Sequence, residues 1–267
     1  MCQRAGGVTD VAPNASNGRL RRGLYVAPFD ELAEPWALVT LAVEAEEHGW
    51  EGFFLWDHIR YRPPVRAVAD PWIALSAIAA RTERLRLGPL VTPLSRRRVH
   101  KVARETASLD RLSRGRLILG VGLGSTGNGE LEPFGEVADA RERARLLDDG
   151  LSRLAEFWAG EFEPRPVQEP RIPVWVAARW PHRRPVQRAA RWDGLFPVEL
   201  PGPEALAELA GEVAQLRGDD QKPFELVVDL EPGADPEPWR EAGATWVVTD
   251  FGPQPRAAQV REVIAHG

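Results

Sequence analysis

The sequence predicts a (β/α)8 barrel, built as a single domain by residues 21–267. Short apolar runs alternate with amphipathic stretches eight times, a pattern typical of parallel α/β proteins. Several runs are almost continuously hydrophobic, as strands covered on both faces require. The length of 267 residues also suits this barrel, whose typical size is about 250 residues. A doubly wound sheet is the alternative, and the count of eight strands favours the barrel.

The apolar runs and the residues that flank them place the individual elements. Asp70 and Pro71 supply an N-cap and a first-turn proline for a helix over 72–81. The helical periodicity of 99–112 is followed by Gly115, at a position typical of a C-cap. Further helices are expected near 31–48 and 146–158, and strands at 23–27, 52–56, 85–92, 116–122, 173–178, 194–198, 224–229 and 245–250.

Residues 1–20 differ from the rest of the chain. They are rich in glycine and asparagine and have no apolar period, which predicts a mobile leader and not a signal peptide. No apolar run approaches the roughly 20 residues of a membrane helix. The single cysteine, Cys2, fits a reducing compartment, and the net charge of −5 argues against a polyanion-binding protein. We therefore expect a cytoplasmic protein that binds neither membranes nor nucleic acid.

A glycine-rich loop directly follows the predicted fourth strand. Residues 122–127 match the pattern G-x-G-x-x-G, but a dinucleotide site needs this loop to open a helix. Here Pro133 and Gly135 follow, so the segment cannot be helical throughout. The loop is either a tight turn at the barrel mouth or a floor where Gly122 and Gly124 let the backbone approach a planar ligand. We favour the second interpretation.

Asp57 and His58 follow the predicted second strand, at the end where barrel enzymes place their chemistry. Neighbouring residues of a strand face opposite sides, so only one of these side chains points into the mouth. Histidine can move a proton near neutral pH, and the aspartate could hold its tautomer or cap a nearby backbone group. The alternative is that Asp57 caps a turn and His58 is an ordinary surface residue.

Other catalytic chemistries find little support. The five histidines show no metal-ligand spacing, so no metal site is expected. There is no G-x-S-x-G motif, and Cys2 lies in the leader. Two arginine clusters are expected at the barrel rim, Arg96–Arg98 after the third strand and Arg179, Arg183 and Arg184 after the fifth. We expect one of them to bind the phosphate of a small cofactor, although solvated basic loops are the usual outcome.

An ordered series of segments runs through about residues 22–200. The segments are Trp56-Asp57-His58, Asp70-Pro71-Trp72, 85–94, 101–104, 108–117, 120–124, 166–176 and 189–194. Taken together, they resemble the bacterial luciferase-like superfamily of flavin-dependent oxidoreductases, whereas the last quarter of the chain agrees with it only in its strand pattern.

The resemblance implies a barrel that binds FMN, or alternatively the deazaflavin F420, at its C-terminal mouth. It places Asp57 and His58 beside the ring as catalytic residues, with His58 as general acid/base. It also implies a bulge behind the ring, often with a cis non-proline peptide, at Leu90, Val91 and Thr92. Ala177 and Ala178 match the positions that offer small residues to the cofactor phosphate, and we add Arg179 as the phosphate-binding cation and Gly122 and Gly124 from the glycine loop.

The chain departs from the family pattern in ways that shorten the walls of the barrel. Ala177-Ala178 stands where relatives usually carry a glycine pair, and only about five residues separate Gly160 from Pro166, where relatives often have an extra hairpin. A large insertion before the seventh strand also looks absent. We therefore expect a shortened luciferase-like barrel, and a bulky, fully enclosed substrate becomes less plausible.

The resemblance implies two enzymatic functions, and the shortened loops with the Ala177-Ala178 departure motivate a non-catalytic alternative. The first is a flavin-dependent oxidoreductase, in particular a monooxygenase that acts with reduced FMN on a small organic substrate. The alternatives are an F420-dependent oxidoreductase that transfers a hydride and a non-catalytic flavin-binding barrel. The expected partners are a second copy of the chain in a homodimer and a separate flavin reductase.

Overall fold

The computed structural model describes residues 19–220 and 222–267. These residues form one parallel sheet surrounded by helices. The strands are β1 (Arg21–Val26), β2 (Gly52–Leu55), β3 (Arg86–Pro89), β4 (Thr92–Pro93), β5 (Leu119–Gly122), β6 (Val174–Arg179), β7 (Gly194–Val198), β8 (Glu225–Leu230) and β9 (Trp246–Asp250). The α-helices are α1 (Pro35–Glu47), α2 (Pro71–Arg81), α3 (Val99–Leu112), α4 (Ala140–Glu156), α5 (Arg184–Ala189), α6 (Pro203–Arg217), α7 (Glu237–Glu241) and α8 (Ala257–His266).

The sheet closes into a barrel. Its strands pair in parallel in the order β3-β2-β1-β9-β8-β7-β6-β5-β4, and a bridge between Leu87 and Leu117 joins β3 to the segment that enters β5. β3 and β4 are two parts of one barrel strand, separated at the cis peptide between Leu90 and Val91. The chain is therefore an eight-stranded (β/α)8 barrel, as predicted, but the expected strand 85–92 is interrupted.

Alternate residues of each strand fill two separate layers. Leu24, Leu55 and Val228 belong to the layer between the barrel and its helices, whereas Phe54 and Trp175 point inward. The inward cluster comprises Phe54, Leu90, Ile118, Trp175, Phe196, Val227, Trp246 and Val248. This period-two alternation decides which residues near the ends of the strands face the mouth.

The helix ends agree with the sequence signals in part. The Asp70 carboxylate accepts hydrogen bonds from the backbone N–H groups of Trp72 and Ile73 at 2.8 and 3.1 Å, which confirms the predicted N-cap. The C-cap of α3 is Ser113, and two left-handed residues follow it, Arg114 with a φ of 55° and Gly115 with a φ of 81°, so the predicted glycine takes part in ending the helix but lies two residues beyond the cap. The first helix begins at Pro35 and not near residue 31, because residues 30–33 form a 3-10 turn before it.

Two further predictions concern the N-terminal leader and helices that could cross a membrane. The predicted leader lies outside the described residues except for Arg19 and Leu20. Across the described ranges, no helix combines the length and the apolar character that a membrane crossing needs.

Candidate active site

The chain beyond the C-terminal end of β2 directs Asp57 and His58 to opposite sides, as predicted. Asp57 contacts Trp72 of α2 and therefore lies on the helix side of the barrel wall. The His58 ring lies on the side of the mouth, 5.8 Å from the Trp56 ring and 5.0 Å from the Tyr61 ring between centroids. Only His58 is therefore in a position to meet a ligand in the mouth.

The Asp57 side chain has no exposed surface. Arg96 donates to one carboxylate oxygen at 3.0 Å, and Arg97 donates to both at 2.8 Å. Thr92 Oγ1 and Trp72 Nε1 donate to Oδ2 at 2.7 and 3.2 Å. Since these donors saturate the carboxylate, Asp57 ties the chain after β2 to the loop after β4 and is closed to a ligand.

The charge state of Asp57 follows from these contacts. Burial favours the neutral acid and would raise the pKa of this carboxyl group. The guanidinium groups of Arg97 and Arg96, with the Thr92 hydroxyl, outweigh burial and hold the pKa below its ordinary value. Asp57 is therefore ionised at neutral pH, and two of the arginines that we considered for phosphate are occupied by it.

The tautomer of His58 is held by a residue that the sequence analysis did not select. Glu130 Oε2 accepts a hydrogen bond from His58 Nδ1 at 2.7 Å, and Oε1 accepts one from the backbone N–H of Ile59 at 2.9 Å. A carboxylate can only accept, so a proton is assigned to Nδ1, and in the neutral imidazole Nε2 then keeps its lone pair. Within the described ranges, no hydrogen bond to Nε2 is found. The suggestion that Asp57 holds this tautomer is therefore wrong.

Glu130 is kept ionised by the same neighbours. It is 1% exposed, and this burial would raise its pKa. The bond from His58, the Ile59 N–H group and the charge of Arg96, 3.7 Å away, hold the pKa below its ordinary value instead. The signal in the sequence that could have identified Glu130 is its position as an acidic residue in the non-helical loop after β5.

The third barrel strand supplies three of the predicted cofactor positions. Leu90 is fully buried inside the barrel and is joined to Val91 by the cis peptide that the resemblance implied. Val91 is partly exposed and packs against the inward cluster, so it borders the mouth. Thr92 is fully buried and its hydroxyl points to Asp57, so its side chain does not face the mouth.

The glycines of the β5 loop have packing reasons of their own. A Cβ atom on Gly122 would lie 2.8 Å from Val91 Cγ2 and 3.4 Å from Ala177 Cβ. Gly124 has a φ of 74°, and a Cβ atom there would lie 2.8 Å from Pro93 Cβ. Tight wall packing therefore accounts for both glycines without a ligand, although Gly122 still leaves a smooth inner surface.

The predicted positions on β6 face two different layers. Ala177 packs against the inward cluster, while Ala178 is buried in the outer layer. Arg179 is at the rim, 60% exposed, and pairs with the equally exposed Glu199 at 3.2 Å. Arg183 is paired with Glu208 and Glu212. Of the predicted phosphate group, Ala177 and Arg179 are accessible from the mouth, and Ala178 is not.

The opposite wall carries two carboxylates. Asp229 of β8 and Asp250 of β9 lie on the same strand faces as the inward Val227 and Val248, and Asp250 is the register partner of Tyr25 in β1. Burial and the neighbouring charge of Asp229 raise the pKa of Asp250 to about 6, against the Gly252 N–H group that favours the ion. Burial also raises the pKa of Asp229 and, together with both carboxylates, that of Tyr25.

The histidine–carboxylate pair lies at the C-terminal face of a parallel barrel. This is the face where (β/α)8 barrel enzymes have their active sites, so the fold and the site are those of this class. The family model described as luciferase-like monooxygenase matches residues 15–262. The chain belongs to this family of luciferase-like oxidoreductases, as the resemblance predicted.

Individual relatives carry F420-dependent activities in their names. An F420-dependent glucose-6-phosphate dehydrogenase of Gordonia bronchialis is 30% identical over 231 residues, 78% of this chain and 67% of that protein. A protein of the same name from Nakamurella multipartita is 37% identical over 132 residues, which are 48% of this chain and only 38% of that protein. The fold is similar to that of an F420-dependent secondary alcohol dehydrogenase in complex with an F420-acetone adduct, with a TM-score of 0.76, 16% identity and coverage of 93% and 98% of the two chains.

Proposed function

We propose that this protein is an F420-dependent oxidoreductase that transfers a hydride between the deazaflavin and a small organic alcohol or its carbonyl product. The observation that carries the proposal is the His58–Glu130 pair, in which the carboxylate holds one ring nitrogen and the other nitrogen has no hydrogen-bond partner among the described residues. The names of the relatives support F420 over the FMN that we expected first.

The proposed reaction assigns a proton acceptor to this chain. Oxidation of an alcohol to a ketone or aldehyde releases a hydride from carbon and a proton from the hydroxyl group. The chemistry that bound F420 would supply is that of the hydride acceptor. His58 Nε2 accepts the proton, and the resulting imidazolium is stabilised by the ionised Glu130 at 2.7 Å. In the reverse direction the same imidazolium returns the proton to the carbonyl oxygen.

The residues of the β3–β6 wall suit a flat ring. Gly122 and Ala177 carry little or no side chain on the inner surface, and Val91 supplies an apolar contact beside them. A planar heterocycle placed there would have His58 on the neighbouring β2 wall. Arg179 would bind the phosphate at the rim. Giving up its ion pair with the exposed Glu199 for the phosphate costs little free energy.

Two measurements test the proposal. Fluorescence titration with F420 and, separately, with FMN is expected to show micromolar binding of F420 and much weaker binding of FMN. An anaerobic assay with a panel of secondary alcohols is then expected to show reduction of F420 at 420 nm. Absence of F420 binding, or a clear preference for FMN, would reject the proposed cofactor.

A monooxygenase that uses reduced FMN is the second candidate, because the matched family model bears that description. It predicts oxygen consumption that depends on reduced FMN and substrate together, and none with F420. A non-catalytic barrel would bind the cofactor and remain inert with every alcohol and with oxygen. The homodimer and the separate flavin reductase stay predictions, and sedimentation equilibrium of the purified chain would check the first.

A further inference from the structure

We propose that the β8–β9–β1 wall of the mouth is a substrate subsite for an uncharged molecule with several hydroxyl groups, and that this subsite rejects phosphate esters. The inference rests on the proposed function, since it concerns the part of the substrate that does not react. Such a subsite would give this chain a different substrate preference from the relatives whose names specify a sugar phosphate.

The first step is the placement of the side chains. Tyr25, Asp229 and Asp250 lie on three adjacent strands and on the faces that point into the barrel. Tyr25 and Asp250 are register partners, and Asp229 is the partner of Val248, two residues before Asp250 on the same face. The phenol and the two carboxylates therefore form one continuous polar wall above the apolar interior.

The second step is the lack of neutralising cations. Within residues 19–220 and 222–267, no ion pair reaches Asp229 or Asp250, in contrast to Asp57 with its two arginines. The Gly252 N–H group donates to Asp250 Oδ1 at 3.0 Å. Both side chains lie half-buried on inward strand faces, so their remaining acceptor capacity suits the hydroxyl donors of a ligand.

The third step is a buried hydrogen-bond donor on Trp56, whose ring lies next to Tyr25 of this wall. The Nε1 atom of Trp56 is buried and has no hydrogen-bond partner among the described residues. The Trp56 ring lies 5.6 Å from the Tyr25 ring and 5.8 Å from the His58 ring between centroids, so it connects the polar wall to the proposed proton acceptor. An orphaned buried donor is costly unless a ligand or water satisfies it.

A hydroxyl group both donates and accepts, so a molecule with several hydroxyl groups satisfies the carboxylates and the indole N–H group together. A phosphate ester that has lost both protons has no hydrogen to donate from its phosphate group, and its negative charge would meet the two half-buried carboxylates of the wall. Contacts between like charges disfavour the wrong ligand in a recognition site. Discrimination against the phosphate ester follows from the wall itself.

The test compares ligands that differ only in the phosphate. Calorimetric titration of the F420 complex with D-glucose, D-sorbitol and D-glucose 6-phosphate is expected to give at least tenfold tighter binding for the uncharged ligands. In Asp229→Asn and Asp250→Asn this preference is expected to shrink, mainly because the phosphate ester binds better. Glu47→Gln, which removes an exposed carboxylate at the end of α1, is the matched control and is expected to change nothing.

The outcomes separate the two proposals. Equal or tighter binding of the phosphate ester, no binding of any of the three ligands, or a preference that both asparagine variants leave unchanged would overturn the subsite. Trp56→Phe supplies an independent measurement, since it keeps the ring and is expected to weaken the uncharged ligands without favouring the phosphate. F420 binding is measured on the same samples, and its failure would reject the proposed function whatever the sugars do.

Discussion

The two sides of the barrel mouth treat their carboxylates in opposite ways. On the side of β2, β4 and the loop after β5, Asp57 is bound by two arginines and Glu130 is bound by His58. On the side of β8 and β9, Asp229 and Asp250 face the mouth without an ion pair among the described residues. The first side holds its carboxylates as anions, whereas the second makes ionisation unfavourable.

This difference separates two tasks. A network whose acceptors are all satisfied keeps one geometry with or without a ligand, which is what a proton-transfer pair needs. A wall of half-buried carboxylates that have no ion pair among the described residues makes their ionised form unfavourable, and it is retained where a ligand supplies hydrogen-bond partners. The four predictions that follow test this division, beginning with the largest expected effect.

Replacement of His58 by asparagine removes the proton acceptor from the first side. We expect turnover to fall by roughly 10²–10⁴-fold, the usual contribution of a general acid/base, with little change in F420 affinity. Steady-state kinetics and cofactor titration measure the two effects separately. The matched variant is His48→Asn, an exposed histidine at the end of α1, which should behave as wild type. Unaltered turnover would remove His58 from the reaction.

Asp57→Asn tests the saturated network as a source of stability. The change leaves Arg96 and Arg97 without their buried anion, and breaking a buried pair in this way costs about 3–5 kcal/mol. Urea unfolding at neutral pH measures the loss. Asp149→Asn breaks an exposed pair with Arg145 and should cost less than about 1 kcal/mol. Similar losses for both variants would contradict the assigned role of Asp57.

Asp250→Asn tests the side of β8 and β9, and here we expect the substitution to stabilise the folded protein at pH 8 where Asp57→Asn destabilises it. Because burial, Asp229 and Glu231 raise the folded-state pKa from 3.8 to about 6, the folded protein binds more protons than the unfolded chain between these values. Stability therefore decreases as the pH rises from about 4 to 6, by roughly 3 kcal/mol in total. The asparagine variant should be more stable than wild type at pH 8 and similar to it at pH 4. Urea unfolding at both pH values decides the matter, and a variant less stable at pH 8 would disprove the prediction.

Arg179→Ala has the smallest expected effect because this side chain is exposed and already paired. We expect F420 to bind about fivefold to tenfold more weakly, corresponding to roughly 1 kcal/mol, and its phosphate-free deazaflavin fragment to bind as before. Fluorescence titration with both ligands measures the difference. Arg183→Ala is the control, since Glu208 and Glu212 already occupy that guanidinium group. Equal weakening for both ligands would withdraw the phosphate assignment.

Local signals in the sequence were sufficient for the elements and for part of the site. The N-cap at Asp70, the glycine after α3 and the apolar alternation of the strands are properties of adjacent residues, and each of them led to the observed local structure. The same alternation predicted that Asp57 and His58 face opposite sides. The interruption of the third strand was implied by the family resemblance and not by residue pattern.

The partners of the site residues required the folded chain. Glu130 is 72 positions from His58, and Arg97 is 40 positions from Asp57. No spacing rule connects residues so far apart, because the register of the barrel brings the strand ends together. For the same reason the sequence grouped Arg96 and Arg97 with phosphate ligands, whereas the structure places them on Asp57.

The sequence by itself determined a (β/α)8 barrel, the position of its mouth and a histidine beside it, because these depend on periodicity and on the residues that follow each strand. The resemblance of its ordered motifs added the luciferase-like family. Only the tertiary structure decided which carboxylates are held by arginine or histidine and which face the mouth without an ion pair among the described residues. That distinction arises from burial and from neighbours on distant strands, and both exist only after the barrel has closed.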